Sequence, residues 1–317
     1  MSSQKLQNVA IVGAGGQVGK PTLQALLDTK RFNITVVTRE SSSTKFPSDS
    51  SITVKSANYD SHDSIVSALK DNEALILMLN FEAMGQVQLQ IIDAAADAGV
   101  KWILPTEFGA DSANQGLVDM VPINAMRTEP RKRIEEAAKT HPGLSWIGVV
   151  NNPWFEYSLK GGFFGIDFKN KAATFYDEGT TRFNTTLIGT VGLAVARLLS
   201  LPIEATSGPS LSKYANKFIY ISSFHTTQRE ILEAVQKATN TTDSDWTVKK
   251  ASAQAWIDEG NEKVAKGDFS GMINLLYGAV MKEGLGGDFE ATRGTSNEVL
   301  GLPKEDMVEV IKKIVEA

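Results

Sequence analysis

A glycine-rich turn near the N-terminus, set between an apolar run and an amphipathic stretch, constrains this chain more than any other segment. Residues 8–13, Asn-Val-Ala-Ile-Val-Gly, have the length and apolar character of a buried parallel strand. The turn is Gly13-Ala-Gly-Gly-Gln-Val-Gly19, and Lys20-Pro-Thr-Leu-Gln-Ala-Leu-Leu27 follows at helical spacing. Strand, glycine turn and helix in that order are what a phosphate-binding βαβ unit requires. The glycines permit a tight turn, close approach of backbone to a pyrophosphate, and close packing of helix on strand. The helix start then offers unpaired N–H groups and the positive end of its dipole. Gly13, Gly15, Gly16, Gln17, Val18 and Gly19 are therefore the candidate phosphate contacts of a dinucleotide.

Residues 32–38, Phe-Asn-Ile-Thr-Val-Val-Thr, read as a second buried strand that ends at Arg39. At the end of strand two, a carboxylate would accept from the 2′-hydroxyl of NAD, whereas an arginine accommodates the 2′-phosphate of NADP. Thr38 and Arg39, with Lys45 close behind, favour NADP. The plainer alternative is a solvated strand-end arginine, which would leave NAD without its usual partner. Further strands are read at 51–55, 72–79, 100–105 and 144–150, with helices at 65–69, 87–98 and 130–139 and a polar loop reaching about Pro122.

This alternation predicts an α/β fold with a Rossmann-type, doubly wound parallel sheet. Residues 1–155 form the expected dinucleotide-binding domain. Residues 156–317 form a smaller α+β substrate region that can return elements to the sheet. Within it the pattern predicts a hairpin around Lys169-Asn-Lys171, helices at 190–199 and 226–238, and a strand at 217–221. A mainly helical stretch at 246–281 and a last amphipathic helix opened by Pro303 complete the reading. Residues 284–288, Gly-Leu-Gly-Gly-Asp, read as a plain surface turn or as the hinge of a lid.

Composition removes whole classes of chemistry. The 317 residues carry a net charge of -5 with no Lys/Arg cluster, which speaks against a nucleic-acid surface. With no cysteine, disulfides, zinc-thiolate sites, iron–sulfur clusters and thiol catalysis are all excluded. The three histidines, His62, His141 and His225, have no partner at metal-ligand spacing, so no metal site is expected. No apolar run approaches a membrane span, and the first strand begins too early for a signal peptide; a cytoplasmic protein is the expectation. The chain has neither a nucleophile elbow nor a P-loop. It also lacks the Tyr-x-x-x-Lys pair of standard short-chain dehydrogenases: Tyr157 and Lys160, and Tyr214 and Lys217, stand three apart.

Ligands of such sheets lie beyond the carboxyl ends of the strands. The segments meeting there are the glycine turn, Thr38-Arg39, Asn80-Phe81, residues 106–109 with Thr106 and Phe108, and Asn151-Asn-Pro-Trp-Phe155. Asn80, Phe81, Thr106 and Asn152 are the candidate contacts for the rest of the cofactor. Phe108, Trp154, Phe155 and Tyr157 offer flat apolar walls to a hydrophobic or aromatic substrate, unless they are simply core.

Residues 12–19, Val37-Thr-Arg39, Pro105-Thr-Glu-Phe-Gly109 and Asn151-Asn-Pro-Trp-Phe155 resemble the NmrA-like, isoflavone-reductase-like branch of atypical short-chain dehydrogenases. The resemblance covers the N-terminal half well and the remainder in outline. It implies NADPH as hydride donor, a small aromatic substrate held by the C-terminal part, and a lysine before strand six that handles the proton. This sequence departs from that pattern, because anchoring on Arg131-Lys-Arg-Ile-Glu-Glu136 puts Arg127 at the lysine's position. Arginine stays protonated and cannot act as a base, though it can stabilise an oxyanion. Lys132 is the nearest alternative, but on one helix the two positions differ by roughly 140°. Both could also be plain surface charges. Two functions follow: an NADPH-dependent reductase using Arg127 or Lys132, or an NmrA-type redox sensor that binds dinucleotide and contacts a protein partner. A closed aromatic cavity beside the cofactor would favour the first, and an exposed apolar helix face without one would favour the second.

Overall fold

The computed structural model describes residues 4–316. Its strands are β1 (Asn8–Val12), β2 (Asn33–Arg39), β3 (Ile52–Ala57), β4 (Ala74–Leu77), β5 (Trp102–Leu104), β6 (Ser145–Val150), β7 (Ile166–Asp167), β8 (Ala172–Tyr176), β9 (Phe183–Thr185), β10 (Lys217–Tyr220), β11 (Phe224–Thr226) and β12 (Thr247–Ala251). Its helices are α1 (Gly19–Asp28), α2 (His62–Leu69), α3 (Gln86–Asp97), α4 (Gln115–Met120), α5 (Pro122–Ala125), α6 (Thr128–Ala137), α7 (Phe155–Lys160), α8 (Ile188–Leu199), α9 (Gln228–Thr239), α10 (Ala253–Ala265), α11 (Gly271–Met281), α12 (Phe289–Arg293) and α13 (Met307–Glu316).

Seven strands form one parallel sheet in the order β10-β6-β5-β4-β1-β2-β3. The central strands are apolar on both faces because both faces are covered, and β4 (Ala-Leu-Ile-Leu) is buried at every position. Leu23 and Leu26 of α1 pack on one face together with Val191, Val195 and Leu198 of α8. Ile65 of α2, Ile91 of α3 and Ile134 of α6 pack on the other. This is the doubly wound sheet expected from the sequence. β10 and α8 belong to the second half of the chain yet complete the sheet and one of its helical layers.

A second core gathers Phe155, Phe164, Phe183, Phe224, Tyr277 and Ile311 from the later elements. β7 and β8 pair antiparallel around Lys169-Asn-Lys171, and β12 adds alongside β8 in parallel. Four local differences from the sequence reading have physical causes. Residues 247–251 are strand rather than helix; they are exposed at every position, so their order comes from backbone pairing with β8 and leaves no apolar pattern to read. The polar loop before Pro122 contains α4, capped by the Asn114 side chain, and Pro122 opens α5. α6 begins at Thr128 with Pro130 in its first turn, where a missing N–H leaves no helical bond unmade. α13 starts at Met307 rather than Pro303, because the Asp306 carboxylate accepts from the Val308 and Glu309 N–H groups at 2.9 and 3.1 Å.

Candidate active site

The site grows from the end of β1. Gly13 has φ +86°, and a Cβ there would sit 2.0 Å from the Met78 carbonyl oxygen just past β4. The Gly16 N–H closes the turn on the Gly13 oxygen at 3.0 Å. At Gly19 a Cβ would meet the same Gly13 oxygen at 2.1 Å, so α1 can start this close only without a side chain. No side chain caps α1, and its first turn holds no acidic residue, so its positive end is left for an external anion.

A trough runs along this turn in two stretches that share Gly16, Met78, Leu79 and Asn80. The first, a cavity of ≈ 300 Å³, is walled by Gly13, Gly15, Thr38, Arg39, Thr44, Phe46 and Tyr59 and by no carboxylate. The exposed Arg39 stands here at the end of β2, where a 2′-phosphate needs a cation. The second, of ≈ 350 Å³, is walled by Gln17, Val18 and Gly19 on the turn, by Phe81, Met84, Phe108, Ile123 and Trp154, and by Thr106, Glu107 and Arg127. Thr106 ties the ends of β4 and β5 together: its hydroxyl donates to the Leu77 oxygen (3.1 Å) and accepts from the Leu79 N–H (3.3 Å). The two stretches, the uncapped α1 and Arg39 fit a dinucleotide bearing a 2′-phosphate.

The charged wall of the second stretch comes from residues 105–112 and the α5–α6 junction. Arg127 precedes α6 and is 8 % exposed; its Nη1 donates to Asn124 Oδ1 at 2.8 Å and to the Ala110 oxygen at 3.4 Å. Its guanidinium lies against Gly109, where any Cβ would come within 2.4 Å of Nη2, and this explains the glycine of Pro105-Thr-Glu-Phe-Gly109. Glu107 is 2 % exposed, ion-paired with Arg131 of α6, and accepts from Ser112 Oγ at 2.6 Å. Burial raises the Glu107 carboxyl above its ordinary pKa, against the pull of Arg131 and then Arg127. Burial likewise holds the Arg127 guanidinium below its ordinary value, with Glu107 opposing that shift.

Among the residues anticipated from sequence, Gly13, Gly15, Gly16, Gln17, Val18, Gly19, Thr38, Arg39, Asn80, Phe81, Thr106, Phe108, Trp154 and Arg127 all line the trough. Five do not. Lys45 is exposed and absent from the wall, although its neighbours Thr44 and Phe46 line it. Asn152, at φ +53°, is buried and donates from Nδ2 to the Gly287 oxygen at 2.7 Å, so it fastens residues 284–288 instead of meeting a cofactor. Phe155 is fully buried in the second core against Phe164 and Phe224. Tyr157 is 41 % exposed and packs edge-on against Trp154, outside the trough. Lys132 is exposed on α6, away from the wall that holds Arg127.

Glu107, Ile123 and Met84 line the site without having been singled out, and neither had their supports Arg131 and Ser112. Only the position of residues 106–109 at a strand end pointed towards Glu107. His62 and His141, isolated in sequence, both meet Asp97, with Nε2 at 2.8 and 3.0 Å from its carboxylate oxygens. They fasten α2 and the α6–β6 turn to α3. Among the described residues no group of His, Asp or Glu has the arrangement to hold a metal ion, and no helix is long and apolar enough to cross a membrane.

Sheet, glycine turn and trough together define a Rossmann-type dinucleotide-binding protein. The chain belongs to the NmrA-like family, whose profile matches residues 5–148. It is 33% identical over 309 residues to the oxidoreductase aprR of Aspergillus flavus, covering 97% of this chain and 98% of that protein. Its fold is shared with the structure of AtPrR2 with NADP+ and (+)-pinoresinol, at TM-score 0.76 and 18% identity over 98% of this chain and 99% of the other. An isoflavone reductase structure matches at TM-score 0.75 and 15% identity, again over 98% and 99%.

Proposed function

We propose that this chain, an NADP-dependent oxidoreductase of the NmrA-like family, reduces a small, hydrophobic, ring-bearing compound. The observation that carries this reading is the ≈ 350 Å³ cavity that continues the dinucleotide trough, walled by Phe81, Phe108, Trp154, Met78, Met84 and Ile123 with one buried guanidinium. The bound cofactor supplies the hydride. The apolar walls hold a flat substrate, and Arg127 stabilises negative charge at a substrate oxygen. Arg127 neither takes nor gives a proton, because a guanidinium stays charged in a protein; the proton comes from water at the mouth of the cavity, where Phe81 is exposed. Against the sensor reading, the exposed large apolar side chains outside the trough, Val54, Tyr157, Val248, Phe269, Val299 and Val315, are scattered along the chain in separate segments.

The test follows NADPH oxidation by its near-ultraviolet absorbance against aromatic ketones, aldehydes and phenylpropanoid esters, together with the carboxylic-acid counterpart of each. Arg127→Ala is expected to lower turnover by about a hundredfold with NADPH still bound, as loss of a charge-stabilising donor does, while Lys132→Ala is silent. NADPH binding without turnover of any member would defeat the reductase reading. Arg39→Ala carries a separate expectation. NADPH affinity drops about 10- to 100-fold while NADH affinity holds, since only the 2′-phosphate loses a charge-assisted partner. Fluorescence titration with both cofactors checks this, and an equal loss for both would remove Arg39 from that role.

A further inference from the structure

The charges around the substrate end of the trough do not balance locally. Glu107 and Arg127 are the two charged residues on its wall. Glu107 is already engaged, ion-paired to Arg131 and bonded to the Ser112 hydroxyl. Arg131 makes its further bonds to Ser112 and to the Arg127 carbonyl oxygen. Among the described residues no carboxylate stands within 4.0 Å of the Arg127 guanidinium, whose hydrogen-bond partners are the neutral oxygens of Asn124 and Ala110. Its Nε is buried without any partner, and so is Trp154 Nε1 on the same wall. A buried cation with no carboxylate in direct contact and spare donors is unfavourable in the empty protein, since Glu107 acts on it only from a distance and is already paired to Arg131, and a bound anion relieves it.

The anion has to suit a planar fork and an apolar chamber. A carboxylate matches the guanidinium geometry and carries one charge on a compact group. The cofactor's phosphates have a separate cradle in the glycine turn and the uncapped start of α1. A charge that arises only in a transition state would leave the resting imbalance in place, whereas a carboxylate present in the ground state offsets it on binding.

We propose that Arg127 seats a substrate carboxylate, so that the compound taken by this cavity is an apolar, ring-bearing acid. The inference rests on the reductase reading for the identity of the cavity and adds the chemical class of its ligand. The aromatic walls of Phe81, Phe108 and Trp154 take the ring, and Arg127 selects the acid.

The experiment uses the full chain saturated with NADP+, so that no turnover is needed, and measures binding by tryptophan fluorescence and calorimetry. The probes are benzoate and 2-naphthoate against benzamide and 2-naphthamide. At least one acid is expected to bind about tenfold or more tightly than its amide, the scale of a charge-assisted hydrogen bond. Arg127→Met erases that preference with NADP+ affinity changed by less than about twofold, and Arg127→Lys, which keeps the charge but loses the fork, retains part of it. The acid–amide comparison in the unaltered protein stands even if Arg127→Met fails to fold. Equal affinity for acid and amide, or no binding of either acid, overturns the proposal while leaving the reductase reading intact. A matching loss of NADP+ affinity in both Arg127 variants overturns it too, by assigning the guanidinium to the cofactor. Failure of the unaltered protein to bind NADP+ overturns both readings.

Discussion

Gly13→Ala is expected to weaken dinucleotide binding severely and to leave the chain folded but less stable. The backbone at Gly13 has φ +86°, and a methyl group there would lie 2.0 Å from the Met78 carbonyl oxygen. Neither strain can be relaxed by a rotamer, since the clash is with main chain immediately beyond a fully buried central strand. The left-handed backbone alone costs about 1–2 kcal/mol for a residue with a Cβ, and forcing atoms into a packed site adds about 1–3 kcal/mol. The turn must move to accommodate it, and the N–H groups proposed to hold the pyrophosphate move with it. Loss of two charge-assisted bonds then lowers NADPH affinity by roughly a thousandfold. Thermal melting and NADPH titration of one preparation check both halves. Wild-type cofactor affinity in Gly13→Ala would show that the turn is not the phosphate cradle.

That turn was legible in the sequence because everything it needs is local: an apolar strand, three glycines at fixed spacing and a helix that follows at once. Arg39 was legible for the same reason, as the last residue of a strand whose neighbours define where it ends. Aromatic residues are different. Trp154, Phe155 and Tyr157 fall within four residues, yet one lines the cavity, one is sealed in the second core and one faces outwards. Composition cannot separate these fates, because they depend on how α7 is seated: the Phe155 N–H donates to the Thr186 oxygen and its ring packs on Phe224. Asn152 misled similarly. It follows β6 where a cofactor contact is expected, but its left-handed backbone accompanies a side chain committed to Gly287, 135 residues away. The charge cluster was hidden because Glu107 and Arg131 lie 24 residues apart, and the chain between them runs through two short helices, α4, which read as polar loop, and α5, which gave no pattern to read.

The buried Glu107–Arg131 pair makes the stability of the site depend on pH in a direction opposite to most carboxylates. Arg131→Met keeps the side-chain stem against Trp146 and Phe218, over whose rings the guanidinium lies at 5.5 and 4.9 Å, and removes the charge. Glu107 then remains buried, with Arg127 still acting on it but out of direct contact. Breaking a buried pair on one side costs about 3–5 kcal/mol, because the remaining charge is desolvated without compensation. The sign follows from the protons bound. Burial already raises the folded-state pKa of Glu107 in the unaltered protein, and Arg131 is the largest influence lowering it. Without Arg131 the folded pKa climbs further, so the folded state binds the proton more tightly than the unfolded chain does. Below the ordinary carboxylate pKa, Glu107 is protonated in both states and the variant is spared most of the loss. As pH rises through that value towards the raised folded pKa, stability is lost progressively. The deficit of Arg131→Met in urea unfolding is therefore expected to be largest at neutral to alkaline pH and to shrink as the pH falls below the ordinary carboxylate range. A deficit that grows on acidification would assign the loss to another group, and one that stays constant from alkaline to acid pH would mean that Glu107 does not carry its charge into the folded protein. Arg127 would then face a neutral acid, and the charge imbalance that assigns it a substrate carboxylate would be larger still.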